Sequence, residues 1–263
     1  MEIIGASQMF STKEWICLLK GHFYLSDGSI FFLSLEDDRL LVLFEIKEGK
    51  IVKKSLLPTS FRPNIQSKWI QDTKNKNRIL VEETAFVDLS THTILKANTS
   101  DLKFYDNSLR GSTYIFGDYA IFYDDIYKYT CKKNDSLLWQ FKAKGYLYTN
   151  IELNNKTLLF GTDGRGGHFY GVDIESGVPR FDFDTGGTNQ FCVDNNKAYF
   201  LHKKCNSIYI VSLDGFTVDT CPITIGKVTF ESSLFVDNNI LYITTYKEGK
   251  LETQGYLSSY KIQ

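Results

Sequence analysis

Cysteine is scarce in this sequence, and the few cysteines present follow no recognisable spacing. No C-x-x-C pair occurs among them, which argues against a zinc knuckle and against the disulfide framework of a small secreted domain. We therefore expect reduced thiols, most of them buried. The five cysteines are Cys17, Cys131, Cys192, Cys205 and Cys221.

Long apolar runs and an excess of one charge are also missing. No stretch approaches the roughly 20 apolar residues of a membrane-spanning helix, and Met1–Phe10 lacks the basic start and apolar run of a secretory signal. The chain carries 30 Lys and Arg against 31 Asp and Glu, a net charge of −1. We therefore expect a cytoplasmic protein that binds neither membrane nor nucleic acid directly, with electrostatic recognition confined to local patches.

Sequence motifs for metal binding and catalysis are absent as well. No D-x-[DN]-x-[DN]-G loop marks a calcium site, and no G-x-S-x-G elbow marks a serine nucleophile. The cysteines have no histidine at a recognisable catalytic spacing, although pairs formed only in the fold stay open. We predict no catalytic residue, no metal and no cofactor, and hence a protein that is not an enzyme. The four histidines, which lie far apart without ligand spacing, are His22, His92, His168 and His202.

Aromatic residues, by contrast, are abundant. They make up 15% of the 263 residues, and only four prolines interrupt the chain. Aromatic side chains favour strands, and all-β folds of this length often form one domain. We therefore expect a single all-β domain over residues 1–263.

The stretch from Leu138 to Gly187 shows the organisation of the chain most clearly. Its short alternating apolar runs are closed by Asn-Asn, Asp-Gly, Ser-Gly and Gly-Gly, the residues that tight turns require. We interpret it as four strands and three turns of one antiparallel sheet. Its motifs L-W-Q-F, F-G-T-D-G and F-Y-G-V-D-I-E-S-G resemble the pyrroloquinoline-quinone-like (PQQ-like, quinoprotein-type) repeat of β-propellers.

The resemblance implies roles for several aromatic residues. Trp139 and Phe141 match the position where the repeat places the aromatic that packs between neighbouring blades, and Phe181 and Phe183 match it one blade later. Arg180 stands in place of the family's tryptophan. The family's quinone-dependent dehydrogenases are secreted, have eight blades and use a vicinal-cysteine ring. This chain lacks vicinal cysteines, so we carry over neither their cofactor nor their activity.

Turn signals followed by apolar strands recur along the whole chain. After a longer first step they are about 40 residues apart, the period of a four-stranded propeller blade. They predict a six-bladed β-propeller of four-stranded antiparallel blades, with seven blades as the alternative count. The turns are Asp27-Gly28, Asn75 to Asn77, Gly117-Asp118, Asn154-Asn155, Asn195-Asn196 and Asn238-Asn239. The blades cover residues 12–63, 64–104, 105–146, 147–187, 188–226 and 227–263.

The last predicted blade has only three strands of its own. We expect Glu2 to Phe10 to supply its outermost strand, so that pairing of the N- and C-terminal strands closes the ring and leaves no free sheet edge there. The segment that follows is open to two interpretations. The Ser11 to Glu14 capping-box pattern favours a short helix, whereas the alternation of Trp15, Cys17 and Leu19 favours a strand, which we prefer.

Loops that join the second and third strands of propeller blades gather on one face. In the first three blades these loops carry acidic pairs, and in the last two they carry lysines such as Lys203, Lys204, Lys247 and Lys250. Such a polarised face suits a protein partner of complementary charge, although ordinary solvated turns would look the same. The predicted acidic partner-binding residues are Asp37, Asp38, Glu82, Glu83, Asp124 and Asp125.

The loop T-D-G-R-G-G-H contributes three further predicted contact residues, Asp163, Arg165 and His168. They could form an ion-binding or acid/base constellation on a glycine-rich support. The loop matches neither a P-loop nor a dinucleotide fingerprint. We therefore favour a turn that contacts a partner over catalysis.

These observations support two functional hypotheses. The first is a protein-binding propeller, in its sharper form an immunity or inhibitor-type protein that neutralises a toxin or enzyme, with a basic toxin or nuclease domain as partner. The second is a small-molecule or sugar-binding propeller, a hydrolase or lyase, with its site in the central channel, since tyrosine rings suit sugars. A scaffold without a single partner is a third option that sequence does not separate from the first.

Overall fold

The computed structural model describes most of the chain as β-strands joined by tight turns. The described residues are 1–12, 21–37, 39–63, 69–72, 75–82, 84–97, 113–123, 127–163, 166–187, 190–229, 232–248 and 253–262. Within these ranges there are 25 strands and no helix, and every strand pairing is antiparallel. The chain divides into two compact units, residues 1–106 with 231–263 and residues 107–230. The all-β prediction is confirmed, whereas the alternative of a helix or strand over residues 13–20 lies outside the described residues.

The first unit contains three four-stranded sheets. Sheet I consists of β2 (Gly21–Ser26), β3 (Ser29–Asp37), β4 (Leu40–Lys47) and β5 (Lys50–Pro58). Sheet II consists of β6 (Ile70–Gln71), β7 (Arg78–Val81), β8 (Ala85–Asp88) and β9 (Thr93–Lys96). Sheet VI consists of β23 (Leu234–Asp237), β24 (Ile240–Glu248), β25 (Thr253–Lys261) and β1 (Glu2–Thr12).

The second unit contains the other three sheets of the described chain. Sheet III consists of β10 (Thr113–Phe116), β11 (Tyr119–Tyr123), β12 (Lys128–Lys133) and β13 (Ser136–Lys142). Sheet IV consists of β14 (Tyr146–Leu147), β15 (Glu152–Asn154), β16 (Thr157–Asp163), β17 (His168–Asp173) and β18 (Pro179–Asp184). Sheet V consists of β19 (Phe191–Asp194), β20 (Lys197–His202), β21 (Ser207–Ser212) and β22 (Val218–Pro222).

The two terminal strands pair with each other, as predicted. Strand β1 lies along β25 from Glu2 opposite Lys261 to Thr12 opposite Thr253, and thereby becomes the fourth strand of sheet VI. Met9 of β1 is 5% exposed and packs in a core cluster with Leu257 of β25. Ring closure and the number of blades stay predictions.

Five of the six predicted tight turns lie at the residues where Asn, Asp and Gly predicted them. At Asp27-Gly28, Asn195-Asn196 and Asn238-Asn239 both turn residues have positive φ, from 45° to 74°. Two-residue hairpin turns need this left-handed conformation, which Gly, Asn and Asp adopt most easily. The fourth-blade turn lies one residue later than predicted, at Asn155-Lys156, because Asn154 still pairs with Thr157.

The strand assignment within residues 138–187 requires one correction. Leu138 to Phe141 belongs to β13, which pairs with β12 and is the fourth strand of sheet III. The first strand of sheet IV is instead divided into β14 and β15, both of which pair with β16. The predicted blade bounds 105–146 and 147–187 already separate Leu138 to Phe141 from the strands of sheet IV, so the error lies only in counting this segment with the strands that follow it.

Successive sheets within each unit pack face to face. On sheet I, Phe31 and Leu33 pack in a cluster with residues of sheet II, whereas Ile30 and Phe32 pack with residues of sheet VI. Sheet IV likewise has one core cluster shared with sheet III and another shared with sheet V. Alternate side chains of a strand point to opposite faces, so a strand buried on both faces has a continuous apolar sequence.

Trp139 packs one sheet of the second unit against the next, as the resemblance implied. Its indole is 9% exposed, and its Nε1 donates a hydrogen bond to the Ile174 carbonyl oxygen at 2.7 Å. Ile174 precedes Gly177 in the turn between β17 and β18, and Gly177 (φ 72°) lies against the indole. The predicted packing roles of Phe141, Phe181 and Phe183 are also confirmed, since each packs in a cluster shared by two sheets.

Arg180 makes polar contacts at the position where the PQQ-like repeat has its tryptophan. Its guanidinium donates to the carboxylate of Asp173 and to Thr157 Oγ1 within sheet IV, and it lies 5.6 Å from the ring of Phe216 in the turn between β21 and β22 of sheet V. Burial alone would raise the pKa of Asp173, but hydrogen bonds from Arg180 and Ser176 outweigh it and lower that pKa to about 2. The arginine thus supports sheet packing by a charge-assisted contact.

Candidate interaction edge of the sheets

The predicted second-to-third-strand loops occupy one edge of each sheet. All six connect the second and third strands of a sheet, between β3 and β4, β7 and β8, β11 and β12, β16 and β17, β20 and β21, and β24 and β25. In sheets IV and V the fourth strands end at the same edge, because His168 pairs with Asp184 and Ser207 pairs with Pro222. We call this edge of each sheet its loop edge.

The predicted acidic residues of the loop edge are only partly described. Asp38, Glu83, Asp124 and Asp125, together with Arg165, lie outside the described residues. Asp37 ends β3 and pairs with Leu40 after a register shift. Glu82 follows β7 with a positive φ of 53°, and its Oε1 accepts a hydrogen bond from Trp69 Nε1 at 3.4 Å. Their role in binding a partner stays a prediction.

His168 and Asp163 belong to the loop edge of sheet IV. His168 is 7% exposed, its Nδ1 contacts the Asp182 carboxylate, and its ring stacks on Tyr170 with centroids 5.6 Å apart. Lys144 Nζ lies 3.7 Å from the other Asp182 oxygen. The imidazole therefore anchors the end of the loop, whereas Asp163 is half-buried at the end of β16.

The backbone around this loop is held from several sides. Thr162 Oγ1 donates to the Lys144 carbonyl oxygen at 2.5 Å and accepts the backbone N–H of His168 at 2.9 Å. Thr185 Oγ1 donates to the Gly167 carbonyl oxygen at 3.1 Å. A Cβ on Gly167 would lie 2.6 Å from the Gly187 Cα, so only glycine permits this close approach. The described backbone on either side of this loop is thus a fixed platform at the loop edge of sheet IV.

Three tyrosines lie beside this platform, and two of them are exposed. The rings of Tyr127, which precedes β12, and Tyr146 of β14 have centroids 4.7 Å apart. Tyr146 is 55% exposed and Tyr148 is 39% exposed. Tyr146 also pairs across the strands with Asp163. We call Tyr127, Tyr146, Tyr148 and Asp163 the tyrosine patch; its tyrosines were not among the predicted site residues.

The loop edge of sheet V combines a charge pair with a thiol. Lys204 Nζ lies 3.0 Å from both carboxylate oxygens of Asp184, and this hydrogen bond is the main cause that lowers the pKa of Asp184. Lys204, predicted to belong to a basic region, is therefore paired with an acid from the neighbouring sheet. The exposed Cys205 follows it, with its Sγ 4.0 Å from His202 Nε2. The spacing H-x-x-C in one tight turn is the sequence signal for this contact, which was not among the predicted site residues.

The opposite edge of the first unit contains a buried histidine. His92 lies in the turn between β8 and β9, where its Nδ1 is 2.8 Å from Ser55 Oγ and its Nε2 is 3.6 Å from Glu45. Burial lowers the pKa of His92, and the charge of Lys53 lowers it further, against the opposing effect of Glu45. The pKa of Glu45 is lowered chiefly by its hydrogen bond with Lys47. This arrangement holds two sheets together, far along the strands from the loop edge.

The described residues form neither a metal-binding cluster nor a membrane-spanning helix. Among the described residues, no group of three or more His, Cys, Asp or Glu side chains could hold a metal ion. The described part of the chain also contains no helix of the length and hydropathy needed to cross a membrane.

Comparisons with known proteins found similarity only among solved structures. No protein-family model and no curated protein matches the chain. The computationally designed Ika8 protein is 10% identical, with a TM-score of 0.44 and coverage of 93% of this chain and 98% of that one. BamB from Moraxella catarrhalis is 10% identical, with a TM-score of 0.33 and coverage of 96% and 99%. Saccharomyces cerevisiae Sqt1 is 10% identical, with a TM-score of 0.43 and coverage of 89% and 68%. Similarities of this size indicate neither an activity nor a partner.

Proposed function

We propose that the six antiparallel sheets are the blades of a β-propeller and that the protein is a cytoplasmic, non-enzymatic binding protein that holds another protein at the loop edge. Four-stranded meanders that follow one another along the chain suit blades. The pairing of β1 with β25 supplies the fourth strand of the last blade. The function itself depends on the loop edge, because a fold does not specify what a protein does.

The observation that carries the proposal is the tyrosine patch. Tyr146 presents 55% of its surface to solvent on a short strand that pairs with β16. Tyrosine is enriched at protein interfaces, since its ring buries a large area at low entropic cost while its hydroxyl stays available for hydrogen bonding. The backbone beneath Tyr146 is held by the hydrogen bond from Thr162 Oγ1 to the Lys144 carbonyl oxygen. It is also held by close packing at Gly145, where an added Cβ would lie 2.0 Å from the Asp163 carbonyl oxygen. A rigid support lowers the entropy that binding would otherwise cost.

The finer form of the proposal is an immunity or inhibitor-type protein whose partner is a basic toxin or nuclease domain. The acidic residues of the first three second-to-third-strand loops favour a partner of positive charge. Pairing of Lys204 with Asp184 leaves less free positive charge at the loop edge than the sequence suggests. Both facts support an acidic binding face.

The proposal is tested by capturing a partner from the native cell with the tagged chain, purifying it and measuring its Kd for matched variants. Tyr146→Ala and Asp163→Lys alter the tyrosine patch. Val178→Ala and Asp214→Lys make the same kinds of change in turns between third and fourth strands, at the opposite edge, where Val178 is 60% exposed. We expect at least about a tenfold weaker Kd for the patch variants, the scale of an interface hot spot, and little change for the controls.

Two outcomes would overturn the proposal: failure to capture any specific partner, or equal weakening by variants at both edges. The inhibitor form needs a further measurement. The captured partner's own enzymatic activity should fall when the wild-type chain is added, and the patch variants should restore that activity in proportion to their loss of affinity. A partner that binds tightly but keeps its activity would leave the binding proposal intact and reject the inhibitor form.

A further inference from the structure

Cys205 differs from the other described cysteines in its exposure. It lies in the turn Lys203–Asn206, which joins β20 and β21, and it is exposed to solvent. Cys131 is buried and Cys192 and Cys221 are half-buried. Burial raises the pKa of Cys131 to about 11 and also raises the pKa of Cys192. Among the described thiols, Cys205 is therefore the one that a reagent from solution reaches most directly.

Two hydrogen-bond donors point at the Cys205 sulfur. The backbone N–H of Cys205 donates to His202 Nδ1 at 3.2 Å. A neutral imidazole that accepts at Nδ1 carries its proton on Nε2, and Nε2 lies 4.0 Å from Sγ. The Tyr209 hydroxyl donates to the same sulfur at 3.9 Å. The turn thus directs both donors toward one exposed thiol.

The two donor groups are themselves held in place. His202 is 6% exposed and lies at the end of β20, and its ring stacks on Tyr209 with centroids 4.6 Å apart and planes 26° apart. Burial, followed by the hydrogen bond to Cys205, raises the pKa of Tyr209. The phenol consequently keeps its proton near neutral pH and remains a donor. The donors are thus positioned before any reagent arrives.

Hydrogen-bond donors that face a sulfur stabilise the negative charge that the sulfur carries when it attacks another atom. The thiolate is the form that attacks other sulfur atoms. We propose that Cys205 is a reactive thiol that low-molecular-weight disulfides, such as glutathione disulfide, modify, and that His202 and Tyr209 are positioning residues that activate it. This inference is independent of the proposed binding function.

The reaction is a thiol–disulfide exchange in which the small disulfide is the oxidant and no other oxidant is needed. The Cys205 thiol loses its proton to solvent, and the thiolate attacks one sulfur of the small disulfide. A new S–S bond to Cys205 forms as the S–S bond of the reagent breaks. The second half of the reagent leaves as a thiolate and takes up a proton. Reduction of the reagent's leaving sulfur balances oxidation of Cys205.

The test follows the reaction of the reduced full chain with glutathione disulfide by intact mass and peptide mapping. We expect Cys205 to be modified at least about tenfold faster than Cys221, and faster than N-acetylcysteine amide under the same conditions. Exposure alone would explain the first difference but not the second, since the small amide is fully exposed. A Cys205 rate at or below that of the small thiol would overturn the proposal.

Two variants separate activation from exposure. Tyr209→Phe keeps the ring that stacks on His202 and removes the hydroxyl donor. Tyr256→Phe is the matched control, since it removes a hydroxyl that hydrogen-bonds Gln254 in the other unit. We expect Tyr209→Phe to slow modification of Cys205 by about threefold to tenfold, and Tyr256→Phe to leave it unchanged. Equal Cys205 rates in the two variants, with the wild-type melting temperature retained, would show that exposure alone sets the reactivity.

Discussion

Gly177 lies under the indole of Trp139 at the junction of two sheets in the second unit. Its φ of 72° is left-handed, and an added Cβ would lie 2.7 Å from two indole carbons. Two separate physical constraints therefore select glycine here. Gly28 has nearly the same φ, 74°, but an added Cβ would have no heavy atom within 4 Å. A comparison of Gly177 with Gly28 therefore separates the cost of backbone strain from the cost of steric contact.

We predict that Gly177→Ala destabilises the chain more than Gly28→Ala does. A left-handed alanine costs roughly 1–2 kcal/mol, and the contact with the Trp139 ring should add about 1–3 kcal/mol, as overpacking does. Urea unfolding of the two variants and the wild type measures both free energies. Equal losses in the two variants would mean that the indole moves aside at little cost.

The environment of His92 gives a prediction about pH. Its pKa in the folded chain is lowered by burial and by Lys53, whereas in the unfolded chain the pKa stays near about 6.5. The unfolded state therefore takes up a proton first as the pH falls, and the free energy of unfolding decreases below about pH 6.5. Glu45 titrates at lower pH, since its pKa is also lowered.

The variant His92→Gln should remove this pH dependence. Urea unfolding between pH 5 and pH 8, a range set by the ordinary pKa of histidine, should show stability that rises with pH for the wild type and a flatter profile for the variant. The loss of the Ser55 contact should also lower the variant's stability at pH 8. A variant whose profile has the same slope as the wild type would place the titrating group elsewhere.

Strands behave as predicted where both of their faces are buried. The run Ile30 to Leu33 is apolar without interruption because alternate residues enter two different cores. Strand β1 is different, since Ile3 and Ile4 are 38% and 44% exposed. Its position depends on pairing with β25 and on the burial of Met9.

Removal of residues 1–12 should therefore destabilise the chain by several kcal/mol. The deletion exposes the edge of β25 and removes Met9, whose loss alone should cost about 2–5 kcal/mol. Thermal unfolding and sedimentation measure the loss and any aggregation at the new edge. A peptide of residues 1–12 added in excess should restore the melting temperature. A truncated chain with the melting temperature of the wild type would show that β1 does not contribute to stability.

At the scale of the whole molecule, the sequence predicted the positions of loops better than the environments of side chains. The spacing of turns located all six second-to-third-strand connections. The predicted site residues, however, are not all free contact residues. His168 is buried against Asp182, and Glu82 accepts a hydrogen bond from Trp69. The exposed tyrosine patch and the contact of Cys205 with His202 and Tyr209 were not predicted. They depend on where side chains point after turns, which residue spacing alone does not specify.

The sequence by itself determined the strands, the turns and the aromatic packing positions, because alternation, turn chemistry and burial are local properties of the chain. Tertiary structure decided that the first strand of sheet IV is divided into β14 and β15, which charges are paired and which side chains remain exposed. Those outcomes depend on contacts between residues far apart in sequence, such as Lys204 with Asp184 and Trp139 with Ile174. No local pattern encodes them.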